Sequence, residues 1–339
     1  MHPIFKIRER ETPEILELLN SVILGTNGAH YRHLDTTERI KEADHPLFLS
    51  MERNGNVISN VTFCRRGQDW YIRYFAFSNK LQSVAKKRSK AGKNNLLKRE
   101  LDAFFESALS GVNEYGKVNS FYAYIDPNNE KSLWLSESLG FETVGQIATQ
   151  TFSRVKPKQS PRIEKLENWD PIEAIVRDRY KQHQYFFTDQ TSKPPFYVMR
   201  DEEGQIIASV KTSISTWEIK RLPGKMGGVL TKMIPFIPGL NRIIKPKKHS
   251  FVVPEAVYVK NNDPQLLNEL FEGVLAMEQK NLILWWVDIN DPLYDQINSV
   301  MKWGVLHKLV GVNHANVVRR AISNSSNQTP FYTSGFDFI

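Results

Sequence analysis

Two stretches of this 339-residue chain carry cations and no anions. One runs from Asn79 to Arg99 with Lys80, Lys86, Lys87, Arg88, Lys90, Lys93, Lys98 and Arg99. The other runs from Ile219 to Ser250 with Lys220, Arg221, Lys225, Lys232, Arg242, Lys245, Lys247 and Lys248. These sixteen, out of 45 basic against 37 acidic residues, leave the remainder acidic, so the positive charge is local. That pattern suits two anion sites better than a nucleic-acid surface along the whole chain. In the first stretch, Arg88-Ser89-Lys90-Ala91-Gly92-Lys93-Asn94 leads directly into an apolar-periodic segment beginning Leu96-Leu97. The amides and dipole of a helix N-terminus attract phosphate, and glycine lets the backbone come close to it.

Other side chains offer proton chemistry. Asp126, Glu52, His30 and His33 are candidate bases, and Tyr74, Tyr122 and Tyr124 are candidate phenol donors. No Gly-x-Ser-x-Gly, Gly-x-x-x-x-Gly-Lys-Ser/Thr, Gly-x-Gly-x-x-Gly or His-Glu-x-x-His motif occurs, so hydrolase, P-loop and dinucleotide readings have no positive support. Cys64 is the only cysteine, which excludes an intramolecular disulfide framework and a Cys-rich metal site; no metal is expected. A charged amino terminus and apolar runs too short to span a bilayer point to a cytoplasmic protein without a transmembrane segment.

The elements that must position these groups read as α/β. A short strand over residues 3–8 precedes a helix capped by Thr12. A meander follows over 47–53, 57–64 and 70–77, joined by Asn54-Gly55 and Arg66-Gly67 turns. The basic loop opens a helix over 94–110. Then come a strand over 120–125, a helix over 130–139 stopped by Gly140, and one or two strands over 141–153. After a Lys/Pro/Ser-rich linker at 156–160 the same order repeats: a strand at 162–166, a helix at Asp170-Pro171, a hairpin over 196–213 with 216–221 extending it, a strand over 251–259, a helix from Pro264, a strand over 281–287, a helix from Pro292, and strands near 305–319. The division expected is 1–155, the linker, 161–322 and a tail at 323–339.

The first half resembles the GNAT acyltransferase superfamily. Arg88 to Lys93 is similar to that family's Arg/Gln-x-x-Gly-x-Gly/Ala loop, with Ala91 and Lys93 where small residues are usual. Asn129 to Phe141 is similar, without a gap, to Asn-x-x-Ala/Ser-x-x-x-Tyr-x-x-x-Gly-Phe, with Ser136 at the tyrosine position. The resemblance implies two tandem GNAT-like domains, each a mixed, mostly antiparallel sheet flanked by helices. It implies acetyl-CoA as co-substrate and a small-molecule or peptide amine as acceptor. Arg88, Ser89, Lys90, Ala91, Gly92, Lys93 and Asn94 would hold phosphates, and Asn129 and Ser132 the pantetheine arm. Phe75, Ala76 and Phe77 would line the cofactor, with an amide of this stretch polarising the thioester carbonyl. Ser136 stands where the family's tyrosine protonates the departing thiolate, Tyr74, Tyr122 and Tyr124 are the possible substitutes, with Tyr124 the one assigned, and Asp126 or Glu52 could act as base. His30 and His33 would border the acceptor.

The second half resembles the same fold without its chemistry. Leu293 and Val300 occupy the asparagine and tyrosine positions, and Asn261-Asn262-Asp263-Pro264 is too short and acidic for a pyrophosphate loop. Its amphipathic basic loop, 219–250, could cover a cleft, dock a partner or touch a membrane. Three functions stay open: acetyl transfer to an amine; an aminoacyl-tRNA-dependent or fatty-acyl transferase of tandem type, whose basic loops would suit tRNA; and a non-catalytic module binding acyl-CoA or a partner. Nucleic acid is the less favoured partner, and the oligomeric state is not legible.

Overall fold

The computed structural model describes residues 2–25, 28–78, 96–322 and 329–339. It divides into two compact α/β units: Met1–Leu24 with Asp35–Val144 and Asn316–Ser326, and Gly25–Leu34 with Gly145–Ala315 and Asn327–Ile339.

In the first unit, β1 (Phe5–Arg8) leads to α1 (Pro13–Asn20), which starts where Thr12 accepts from the Ile15 amide and Pro13 supplies a helical φ. The next segment, β2 (His30–His33), belongs to the second unit. The first unit resumes with α2 (Thr36–Glu42), β3 (Pro46–Arg53), β4 (Asn56–Arg66) and β5 (Asp69–Phe77). Asn54 and Gly55 both have positive φ, 52° and 77°, as the tight β3–β4 turn requires. Then come α3 (Leu96–Ser110), β6 (Ser120–Ile125) and α4 (Glu130–Ser138). The strand order is β1-β3-β4-β5-β6, antiparallel except for β5 with β6. Phe63, Trp70, Phe104, Phe105, Phe121 and Phe141 form the core beneath α3. Ile15, Leu19, Ile40, Phe48, Tyr74 and Ala76 form a second cluster beneath α1 and α2.

The second unit contains β7 (Glu142–Ser153) from Gly145 onward, β8 (Ile163–Leu166), α5 (Asp170–Tyr180), α6 (Thr188–Thr191), β9 (Phe196–Arg200) and the long β10 (Ile206–Arg221). These lead to α7 (Gly227–Met233), α8 (Leu240–Ile243), β11 (His249–Val259), α9 (Pro264–Met277), β12 (Leu282–Asp288), α10 (Pro292–Val300) and α11 (Val305–Val310). The sheet order is β7-β12-β11-β10-β9-β8, with β2 added to the far half of the β10 edge that carries β9. Phe152, Phe271, Ile283, Trp285 and Ile297 belong to its core.

The last strand, β13 (Asn313–Ala321), pairs antiparallel with β6 from Asn316↔Ile125 to Ala321↔Ser120, and so completes the first unit. The strand that follows α4, β7, pairs with β12 from Ile147↔Asp288 to Ser153↔Leu282, and so completes the second. The units are therefore not the contiguous halves 1–155 and 161–322, because each takes in a strand from the opposite half of the sequence. Residues 305–310, expected as strand, form α11 between Gly304 and Gly311.

Candidate functional site

The first unit's site grows from one parallel strand pair that does not stay paired. The β5–β6 ladder holds Asp69↔Ser120, Trp70↔Phe121 and Tyr71↔Tyr122, and it ends there, although β5 continues to Phe77 and β6 to Ile125. The cause lies on the other edge of β5. Thr62 faces Tyr74 but Phe63 faces Ile72, so Arg73 is an extra residue, and such a bulge bends and twists the strand that carries it. Beyond the last pair the two strands splay. Alternation then sends Phe75 to the α3 core, and Tyr74 and Ala76 to the α1 cluster. Phe77 stays half-buried, its ring 4.8 Å from that of Phe75.

Three phenol rings gather at the closed end of this cleft: Tyr71 lies 5.3 Å from Tyr122 and 5.6 Å from Tyr124. Tyr122 accepts from the buried Arg66 guanidinium at 3.0 Å, and Arg66 pairs with Asp44 at 3.0 Å. Arg66 and the bulge residue Arg73 are cations the sequence reading missed; cations alternating with aromatics in a meander gave no signal that they would be buried.

The exit of β6 forms the other wall. Asp126 accepts from the Asn128 amide at 2.8 Å and its side chain at 3.1 Å, so it shapes the turn that brings Asn129 to the head of α4. Asn129 caps that helix, its Oδ1 accepting from the Ser132 amide at 3.2 Å. Ser136 is buried on the same helix and donates to the Leu133 carbonyl at 2.8 Å, which commits its proton to its own helix.

The other expected residues fall elsewhere. Glu52 lies at the β1–β3 edge, with β4 between it and β5, and pairs with Lys6 at 2.6 Å and Arg8 at 2.5 Å. Burial alone would raise its carboxyl, but the two cations outweigh burial and hold it below the ordinary value. It is a structural ion pair rather than a base at the cleft. His30 and His33 belong to the second unit, where β2 pairs His33↔Trp217 and His30↔Arg221 on β10. His33 is buried there, its ring stacked 5.1 Å from Trp217. Arg88, Ser89, Lys90, Ala91, Gly92, Lys93 and Asn94 lie outside the described residues.

The second unit repeats the splay and fills it. β11 and β12 pair at Val252↔Ile283 alone, and β11 carries its own bulge where Ala256 takes a φ of +52°. The carboxy-terminal segment bonds to both strands beyond that point. The Phe331 amide donates to Asp288 at 2.9 Å, Thr333 donates to the Trp286 carbonyl at 2.6 Å, and Ser334 and the Gly335 amide donate to Glu255 at 2.9 and 3.1 Å. Phe338 stacks 4.6 Å from Trp286 at an interplanar angle of 8°. Glu255 also pairs with the buried Lys211. Nearby, Asp291 accepts from His183 at 2.9 Å, from Arg179 and from the Leu293 amide. Burial raises Asp288; at Asp291 burial acts the same way but is outweighed by His183 and Arg179, which lower it. The opening between β11 and β12 is thus bridged by this unit's own carboxy-terminal segment.

No protein-family model and no curated protein sequence matches the chain. Solved structures do match its fold. A GCN5-related N-acetyltransferase from Sphaerobacter thermophilus is 11% identical at a TM-score of 0.51, over 95% of this chain and 97% of that one. A tandem GNAT protein from the clavulanic acid biosynthesis pathway is 9% identical at 0.51, over 95% and 99%. N-myristoyltransferase of Saccharomyces cerevisiae with bound myristoyl-CoA is 12% identical at 0.53, over 97% and 89%. The chain thus has the tandem GNAT fold that the Arg88 and Asn129 motifs implied; identities this low bear on fold and no further.

Proposed function

We propose that the protein is an acyl-CoA-dependent N-acyltransferase whose reaction takes place in the first unit, with acetyl-CoA as donor and a small-molecule or peptide amine as acceptor. The observation that carries this reading is the end of the β5–β6 ladder at Tyr71 and Tyr122, beside the Arg73 bulge and on the strand that leads through Asp126 to the Asn129-capped helix. An opened parallel pair offers strand edges that an extended pantetheine arm can join. On that edge, an amide of the Phe75–Phe77 stretch is aimed in advance at the thioester carbonyl, where negative charge develops as the amine attacks. The C–N bond forms, the C–S bond breaks, the amine loses a proton and the thiolate gains one.

Tyr124 is the group we assign to protonate the thiolate, since Ser136 donates within its own helix. Asn129 uses Oδ1 as a cap, which leaves Nδ2 to donate to an amide carbonyl of the pantetheine arm, alongside Ser132. Arg88 and Lys90, with Ser89, Gly92, Lys93 and Asn94, hold the phosphates. Asp126 is tied to its turn, and we leave amine deprotonation to solvent or to the acceptor's own equilibrium.

Calorimetric titration of the full chain with acetyl-CoA, a long-chain acyl-CoA and CoA tests the reading. A fragment ending near residue 158 is unsuitable, because it lacks β13 and leaves β6 without its partner. Binding near one equivalent is expected, with affinity falling about tenfold or more in Arg88→Ala with Lys90→Ala, as loss of two phosphate contacts implies. Unchanged affinity would remove the loop assignment, and no binding to any thioester would remove the transferase. Preference for the long chain would replace acetyl by fatty acyl. Tight binding without turnover across an amine panel would leave a non-catalytic module.

A further inference from the structure

In the second unit, the segment between β10 and β11 has its amphipathicity inverted. Met226, Val229, Met233 and Phe236 recur at intervals of three, four and three, so they share one face running from α7 into the turn after it. That face points to solvent: the four side chains are 70, 51, 53 and 84% exposed. The buried face is Gly227, Thr231 and Ile234. Thr231 fixes this orientation, donating to the Gly227 carbonyl at 2.7 Å and accepting from the Leu222 amide at 2.9 Å. A Cβ on Gly227 would fall 1.8 Å from the Leu222 carbonyl oxygen, so only glycine lets the helix back onto that chain. The Ile219 amide bonds to the Pro246 carbonyl at 2.8 Å and closes the base, which makes the segment a held projection.

The apolar face is framed by charge of one sign. Lys225, Lys232, Arg242, Lys245, Lys247 and Lys248 are exposed, and none takes part in an ion pair among the described residues, whereas Lys220 at the base pairs with Glu218 at 2.5 Å. No acidic residue stands between Ile219 and Ser250. We propose that this segment docks the protein on an anionic lipid membrane, with Met226, Val229, Met233 and Phe236 entering the interface and the lysines and arginine meeting headgroups.

Two features favour lipid over protein. The tip, Pro235-Phe236-Ile237-Pro238, is apolar throughout, and its two prolines have no amide hydrogen. The amides of Ile234 and Ile237 bond within the segment, to Leu230 and Ile234. A tip so depleted of donors enters a lipid interface at little cost, where an unpaired amide is expensive. A second copy of this face would bring six cations against six. No helix of the described residues is long and apolar enough to cross a membrane, so the contact is at the surface. The inference rests on none of the acyl-transfer assignments.

Co-sedimentation of the full chain with vesicles of phosphatidylcholine, with and without phosphatidylglycerol, tests it. Binding to the anionic vesicles should be about tenfold or more tighter, weaken with salt, and fall about fivefold per cation lost in Lys245→Gln, Lys247→Gln and Lys248→Gln. Phe236→Asp with Met233→Asp should also release the protein, and because these side chains are exposed, the thermal midpoint should not move. In a Cys64→Ala background, an environment-sensitive dye on Phe236→Cys should shift to the blue when vesicles are added, and a dye on Glu203→Cys should not. Absence of binding to anionic vesicles overturns the proposal, as does binding that ignores both sets of variants or leaves the dye at 236 in water. Self-association lost in Phe236→Asp without any vesicle binding would assign the face to a second copy instead.

Discussion

Gly335 lies against Val253 so closely that a Cβ on it would sit 2.3 Å from Val253 Cγ1. This contact seats the carboxy-terminal segment in the splay of β11 and β12, where Ser334 and the Gly335 amide reach Glu255. Gly335→Val cannot be accommodated without moving the segment or the strand. We expect a loss of about 1–3 kcal/mol, the usual cost of overpacking, read as a lower denaturation midpoint. Proteolysis should reach Phe331, Tyr332 and Phe336 more quickly. Wild-type resistance to protease in that variant would show that the segment does not depend on this seat.

Arg320 on β13 reaches back to α3 and the end of α4. Its guanidinium donates to Asp102 at 2.8 Å and the Leu139 carbonyl at 2.7 Å, pairs with Glu106, and lies 5.5 Å from the centre of the Phe105 ring. Asp102 and Glu106 are half to mostly exposed, so those pairs add little. The bond to the Leu139 carbonyl and the packing on Phe105 dominate. Arg320→Ala should cost about 2–3 kcal/mol in urea denaturation, and Asp102→Asn less than about 1. Equal losses from the two would mean that charge, not the carbonyl bond, holds β13.

The gapless run from Asn129 to Phe141 was the most legible part of the site, because an asparagine at the strand exit, a small residue and Leu-Gly-Phe each answer a local geometric need. In the structure Asn129, expected only as a pantetheine contact, caps α4, and Gly140, expected to stop the helix, takes a φ of +75°. What was illegible depends on distant partners. Nothing in His30-Tyr31-Arg32-His33 indicates that these residues pair with β10, and an alternating strand reads the same whichever sheet it completes, so the exchange of β7 and β13 left no trace. Val305 to Val310, six residues between two glycines, fits a helical or a strand period equally. Phe331, Tyr332, Phe336 and Phe338 make the tail too apolar to stay solvated, but the splay that receives it is set by the single β11–β12 pair, which no local pattern encodes.

Tyr124 sits 5.6 Å from Tyr71 on the splayed part of β6. If its phenol protonates the departing thiolate, Tyr124→Phe should lower kcat roughly 10–100-fold with KM for the acyl-CoA nearly unchanged, and should alter the alkaline limb of the pH–rate profile. Tyr122→Phe is the control, since it removes the acceptor for Arg66 and should reduce stability instead. A Tyr124→Phe enzyme with wild-type kcat would move the proton donor to water.

His249, at the start of β11, is buried beside Phe251 and pairs in register with Trp217; burial, aided by the Lys245 charge, pushes its pKa down to about 4. The folded protein therefore holds it neutral at a pH where the unfolded chain, near 6.5, already takes up a proton. Between those values the unfolded state binds more protons, so stability present above pH 6.5 is lost as the pH falls towards 4. The full difference amounts to about 3 kcal/mol. Carboxylates titrate in the same window, and for that reason the informative quantity is the difference between wild type and His249→Gln. Urea midpoints of the two should converge as the pH falls from 7 to 4.5, because the variant has no proton to take up at this position. A constant gap across that range would mean that His249 gains solvent or a partner before it is protonated.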